Sequence, residues 1–170
     1  MHVRPTVALA SLALCALTAA RGAELSADCR PVMAAMEKSL LADHAAISTH
    51  GSSTSHGITV DGAVYLQVGG AWRKSPWTAQ SVIAQSRENL KDATSYTCKA
   101  LPDSVVDGAP VTNYLARTVS DDATVDTTVA IAKATGLVVS VDNRQAGASA
   151  AGTPEDIVTR YTYGKIKAPI

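Results

Sequence analysis

The feature that most constrains this chain is a change of rhythm after its first helix. In SADCRPVMAAMEKSLLA, residues 26–42, Val32, Met33, Met36 and Leu40 recur at helical spacing and form one apolar face. Asp28 or Ser26 can cap that helix, and Pro31 suits its first turn. Beyond it the apolar period drops to two, and turn signals break the chain at short intervals. Gly51 to Ser53 form the first, then Asp61-Gly62 and Gly69-Gly70, dipeptides that accept positive φ and favour two-residue hairpins. Between the last two, AVYLQV sets Val64, Leu66 and Val68 on one face and Tyr65 and Gln67 on the other.

A second helical pattern, SPWTAQSVIAQSRENLKDA, starts at Ser75-Pro76 or at Thr78 and gathers Trp77, Val82, Ile83 and Leu90 on one side. Alternation then resumes in SYTCKAL. It turns at Asp107-Gly108, Asp121-Asp122 and Ala134 to Gly136, and closes in IVTRYTYGKIKAP. In PVTNYLARTV, Val111, Leu115 and Val119 share a parity with Asn113 and Arg117, so that face is only partly apolar. RQAGASAAGTPED reads as a loop of small residues. The expected architecture is α+β, with about eight or nine antiparallel strands and two helices. So long a meander needs cover for its apolar face, and the helices supply it. The sheet is therefore expected to curve strongly into an unclosed half-barrel with both helices packed in its concave face.

The first 22 residues are expected to lie outside this domain. A short basic start with His2 and Arg4 precedes an apolar run from Val7 to Ala20 and then small residues, the pattern of a secretory signal peptide. Cleavage after Gly22 puts Ala20 at the −3 position; cleavage after Ala20 or Ala23 is the alternative. The run is shorter than the ~20 apolar residues of a membrane span. Leu14 stands before Cys15 where a lipidation signal wants a small residue. Residues 23–170 then form a single domain of ample size for one core. The whole chain carries 15 Lys and Arg against 15 Asp and Glu. Without Arg4 and Arg21 the balance tips to about −2, with no basic run to hold nucleic acid or an anionic membrane. Two cysteines remain, Cys29 and Cys98, and in an oxidising compartment they are expected to pair. Closing that loop is worth roughly 4 kcal/mol in the chain-entropy model. A redox pair or half a metal site is the alternative, though the two lack C-x-x-C spacing.

The stretches DCRPVMAAMEKSL, DGAVYLQVGGAWRKSPWTAQSV, SYTCKAL, GAPVTNYLA, IAKATGLVVSVD and TRYTYGKIKAP together resemble a group of small exported proteobacterial proteins. Their sheet-plus-lid pattern is similar to the periplasmic lipoprotein-carrier (LolA/LolB-like) superfamily, across nearly all of residues 23–170. Ala130 stands where such relatives commonly place tryptophan. The resemblance implies an unclosed β-barrel with a helical lid and an apolar cavity able to take acyl chains. No substrate-binding residue of the carriers maps onto a position here, and one fold hosts several jobs.

Chemistry-bearing motifs are sparse. The sequence contains no G-x-S-x-G, no phosphate loop, no H-E-x-x-H and no dinucleotide fingerprint, so no catalytic residue and no cofactor are expected. Asp121, Asp122 and Asp126 fall short of the six to eight oxygens calcium takes, and read as a hairpin tip. A pocket enzyme would need a carboxylate buried among apolar walls, but Asp61 and Asp142 sit at turn or strand-end positions, which favours a structural role for both. HAAISTHGSSTSH places His44, His50 and His56 six residues apart. On a strand six residues span ~20 Å, so His44 and His50 cannot share a metal. A hairpin through GSSTS is expected to bring His50 and His56 opposite one another, and no metal site is expected. With no phenylalanine in the chain, aliphatic and alanine side chains must fill the interior. Trp72 and Trp77, flanking the start of the second helix, are expected to anchor it, or else to line a pocket mouth with Tyr65 and Tyr114.

The expectation is an exported, periplasmic or secreted non-enzyme that holds a lipid-like or acyl-chain ligand, or docks an envelope protein. The alternatives are an envelope interaction module with a filled core and, third, a small pocket enzyme.

Overall fold

A computed structural model of the chain describes residues 26–121, 123–146 and 156–170. The expected signal peptide, residues 1–22, lies outside the described residues, as do Asp122 and most of the loop in RQAGASAAGTPED.

A 3-10 turn, Ala27–Cys29, leads into α1, Arg30–Leu41. Pro31 sits in its first turn, where a missing N–H costs nothing. Neither Ser26 nor Cys29 caps with its side chain. Four strands follow: β1 (His44–His50), β2 (Ser53–Val60), β3 (Ala63–Val68) and β4 (Ala71–Thr78). Helix α2 spans Ala79–Lys91. Of the two starts read from the sequence, Thr78 is the real one. Its Oγ1 accepts from the Ser81 N–H, while Ser81 Oγ accepts from the Thr78 N–H, closing a capping box. Five strands complete the chain: β5 (Ser95–Val106), β6 (Ala109–Val119), β7 (Thr124–Ala132), β8 (Val138–Ala146) and β9 (Ile157–Tyr163).

All nine strands form one antiparallel sheet in the order β4-β3-β2-β1-β9-β8-β7-β6-β5. The two meanders, β1–β4 and β5–β9, are joined where β1 pairs with β9, His44 opposite Tyr163. The edges, β4 and β5, stay apart, so the barrel is unclosed, and α2 carries the chain from one edge to the other. At Asp61-Gly62, Gly69-Gly70 and Asp107-Gly108 both residues of the turn have positive φ. Such turns match the right-handed twist of the strands they join. Register shifts between Ala63 and Tyr65, Leu101 and Ser104, and Ala130 and Ile131 add local bends.

The core lies between α1 and the concave side of β7 and β8: Val32 and Ala35 against Val129, Ile131, Val138 and Val141. The largest fully buried side chains are four valines and Cys29. Cys29 and Cys98 form a disulfide, Cα atoms 5.0 Å apart, that ties the start of α1 to β5. No described helix is long and apolar enough to cross a membrane.

One expectation about packing changes, for Trp77, and β3 shows which of its two faces is covered. On β3 the alternation does not bury the aliphatic side: Leu66 and Val68 are 46% and 57% exposed while Tyr65 is 9% exposed. The register Leu66–Gly57–Ala46–Tyr161 puts Leu66 on the concave side, but the core cluster is built on β7 and β8, away from β3. Trp77 does not anchor α2; it belongs to β4 and is half exposed, and Ala79 and Ile83 are the buried residues of the helix.

Candidate functional site

Valine and alanine cannot fill the concavity of a curved sheet, and a cavity of about 600 Å³ remains between the helices and β5–β9. Its helical wall is apolar. Val32, Met33, Met36 and Leu40 come from α1, at the i, i+3, i+4 spacing that lines up one face, and Ile83 and Leu90 come from α2. On the sheet, Val129 and Val141 are cross-strand partners and continue the apolar surface, with Tyr161 and Tyr96 beside them. The unbranched thioethers of Met33 and Met36 adapt to irregular surfaces more readily than valine or isoleucine.

One end of the sheet wall is polar. Thr127 and Asn143 are cross-strand partners, and the Thr127 hydroxyl donates to Asn143 Oδ1 at 2.8 Å. Thr118 lies diagonally across on β6, and Thr159 shares a 2.8 Å hydrogen bond with Ser48. The charged residues of the lining are Glu37 and Arg87, on α1 and α2. They neutralise each other through two parallel hydrogen bonds of 2.8 Å, from Arg87 Nε and Nη2. Burial, and then the neighbouring Tyr163, pushes the Tyr161 hydroxyl up to about 12; burial also raises Tyr96. Both phenols therefore stay neutral beyond the pH at which an ordinary tyrosine ionises and add no charge to the wall.

A second, shallower cleft of about 320 Å³ lies on the other side of α1, against β6 and β7. Tyr114 lines it and also packs against the core. Of the four aromatics read as pocket-lining, Tyr114 therefore reaches a cleft. Tyr65, Trp72 and Trp77 sit on β3 and β4, and neither cavity has them in its wall.

The histidines do not converge. His44 is buried, its ring 5.5 Å and 5.9 Å from those of Tyr161 and Tyr163, with Nδ1 2.8 Å from the Ala42 carbonyl. His50 pairs with Ser53, whereas His56 pairs with Ile47. Because β1 ends at His50 and β2 begins at Ser53, His50 and His56 point to opposite faces, which removes the pair expected across the hairpin. Among the described residues no three His, Cys, Asp or Glu side chains are grouped to hold a metal. Asp126 is gripped by Arg117 at 2.6 Å and 2.7 Å, and Asp121 accepts from Thr94 at 3.4 Å. Asp142 pairs with Arg144 at 3.2 Å, and Asp61 sits in its turn with its N–H donated to Asp43.

Met33 and Met36, core-facing by their helical spacing, line the cavity, and so do Thr127, Asn143, Tyr96 and Tyr161, which no motif in the sequence marks. The signal for the methionines was present, since they line the same face as Val32 and Leu40. Thr127 and Asn143 look like ordinary outward positions until the strands are assembled.

No family model and no curated protein matches the chain. Two solved structures are similar in overall shape. The Mycobacterium tuberculosis lipoprotein LppX has 12% identity and a TM-score of 0.44, over 81% of this chain and 95% of that one. LprF from Mycobacterium bovis has 7% identity and a TM-score of 0.45, over 84% of this chain and 96% of that one.

Proposed function

We propose that the protein is an extracytoplasmic binding protein that holds a lipid-like or acyl-chain ligand between its helices and its sheet. The observation that carries this reading is the cavity of about 600 Å³, walled by aliphatic and methionine side chains of α1, α2, β7 and β8. Its size falls in the ~300–1,000 Å³ range of small-molecule sites. The signal-peptide pattern of residues 1–22 and the Cys29–Cys98 disulfide support an oxidising, exported location. The ligand is a free amphiphile of the cell envelope or the acyl chain of an envelope lipoprotein. A filled-core interaction module fits less well, because the concavity is not filled.

The test is native mass spectrometry of the exported protein exposed to an envelope lipid extract, paired with displacement of N-phenyl-naphthylamine, an uncharged apolar dye. The expected result is a one-to-one lipid adduct and loss of dye fluorescence. Met33→Trp, placed in the cavity wall at a partly buried position of α1, should abolish both while leaving the disulfide formed and the far-UV spectrum unchanged. A folded protein that takes up neither dye nor lipid would remove the reading.

A further inference from the structure

We infer that the cavity, read as the lipid site proposed above, selects amphiphiles whose head is uncharged and hydrogen-bonding, with that head seated at Thr118, Thr127 and Asn143. Two observations on the cavity wall lead there. The first is the segregation of its chemistry. Along β7, Thr127 and Val129 are two residues apart and both line the cavity, so about 7 Å of strand separates a polar row from an apolar one. β8 repeats the step with Asn143 and Val141, in register with the same two residues. A ligand lying along these strands meets hydroxyl and amide at one end and aliphatic side chains at the other.

The second is the charge of the wall. Glu37 and Arg87 occupy both carboxylate oxygens and two guanidinium nitrogens on each other. The pair carries no net charge, so a carboxylate or phosphate head seated at Thr118, Thr127 and Asn143 would enter without a full counter-charge, and burying an uncompensated ion is strongly unfavourable. A hydroxyl, ester or amide meets no such obstacle. Thr127 spends its proton on Asn143 Oδ1, which leaves the hydroxyl's lone pairs and the Asn143 amide N–H groups to serve a ligand. Among the described residues Asn143 has no other side-chain hydrogen bond. The site can thus both donate to an ester carbonyl and accept from a hydroxyl.

The experiment compares two probes of equal chain length, monopalmitoylglycerol and palmitate, as competitors of N-phenyl-naphthylamine on the full exported chain. At about pH 8 palmitate is fully ionised. The monoacylglycerol should bind at least about tenfold more tightly, the minimum expected for a charge left without a partner. In the double variant Thr127→Val/Asn143→Leu the ratio should fall toward unity while dye binding persists, which also reports that the cavity is intact. Equal or tighter binding of palmitate by the parent protein overturns the head-group inference and leaves the lipid site standing. Failure of both probes and the dye to bind overturns the lipid site and this inference with it.

Discussion

Ser39 of α1 accepts a hydrogen bond from the backbone N–H of Val138, 2.8 Å away at the start of β8. The same hydroxyl donates to the Ala35 carbonyl at 2.7 Å, and Tyr163 of β9 donates to the Val138 carbonyl at 2.6 Å. Val138 is fully buried just beyond a register shift, and two side chains satisfy its backbone groups. This is how α1 is fixed at one height over the sheet, and with it the depth of the cavity. Ser39→Ala leaves a buried amide unpaired and should destabilise the fold by about 1–3 kcal/mol. Urea unfolding reads this as a lower midpoint with unchanged slope. An unaltered midpoint would mean that Val138 finds another acceptor.

The Cys29–Cys98 bridge acts at the other end of α1. It closes a loop of sequence separation 69 and joins a fully buried Cys29 to β5, which has few other ties to the helix. Replacing both cysteines by serine should cost about 2–4 kcal/mol. Reduction with dithiothreitol should move the parent protein's denaturation midpoint toward that of the variant. A variant as stable as the oxidised parent would show that the bridge constrains little in the unfolded chain.

Much of this fold is legible because local chemistry writes it. Asp61-Gly62, Gly69-Gly70 and Asp107-Gly108 each take the left-handed conformations that tight hairpins need, so the strand breaks fall where the dipeptides stand. Thr78 and Ser81 likewise encode the start of α2 within four residues. The disulfide is legible by count if Cys15 belongs to the expected signal peptide, since Cys29 and Cys98 are then the remaining pair. What is not legible depends on contacts distant in sequence. Alternation in AVYLQV marks two faces but not which one is covered, and the core that settles it is built on β7 and β8. A hairpin loop of Gly51 and Ser52 sets the parity of β2, and with it the separation of His50 from His56. Thr127 and Asn143 become a polar wall only when β7 and β8 pair.

Alkaline pH should destabilise the protein through its buried tyrosines. The Tyr161 hydroxyl is pushed up from 10.0 to about 12, by burial first and by Tyr163 second. Tyr96 and Tyr163 move in the same direction, with burial the largest cause for each. The unfolded chain therefore releases these protons at lower pH than the native one, so the native state loses ground as pH rises. The contribution of Tyr161 is complete below pH 10.0 and lost as pH climbs toward about 12. Tyr161→Phe removes that share, and its alkaline decline between those limits should be shallower by about 1–3 kcal/mol. Urea midpoints measured across this range decide it; parallel curves for the two proteins would rule the tyrosine out as the source.

The clasp between Glu37 and Arg87 should govern access to the cavity more than stability. Arg87 is largely exposed, and exposed pairs contribute only ~0.2–1 kcal/mol. Yet α2 is lightly held: it buries Ala79 and Ile83, its first turn is secured by the Thr78 cap, and both lie in its N-terminal half. Its C-terminal half covers the cavity with Leu90, Ser86 and Asn89, and there the ion pair is its charged link to α1. Arg87→Ala should leave the denaturation midpoint within about 1 kcal/mol of the parent. Hydrogen exchange in the last two turns of α2 should accelerate while α1 stays protected, because local opening is governed by local contacts. Release of bound N-phenyl-naphthylamine should speed up in the same variant, and high salt should push the parent protein part of the way there. If α2 exchange and dye release both match the parent, the ion pair is a surface decoration and the cavity is gated elsewhere.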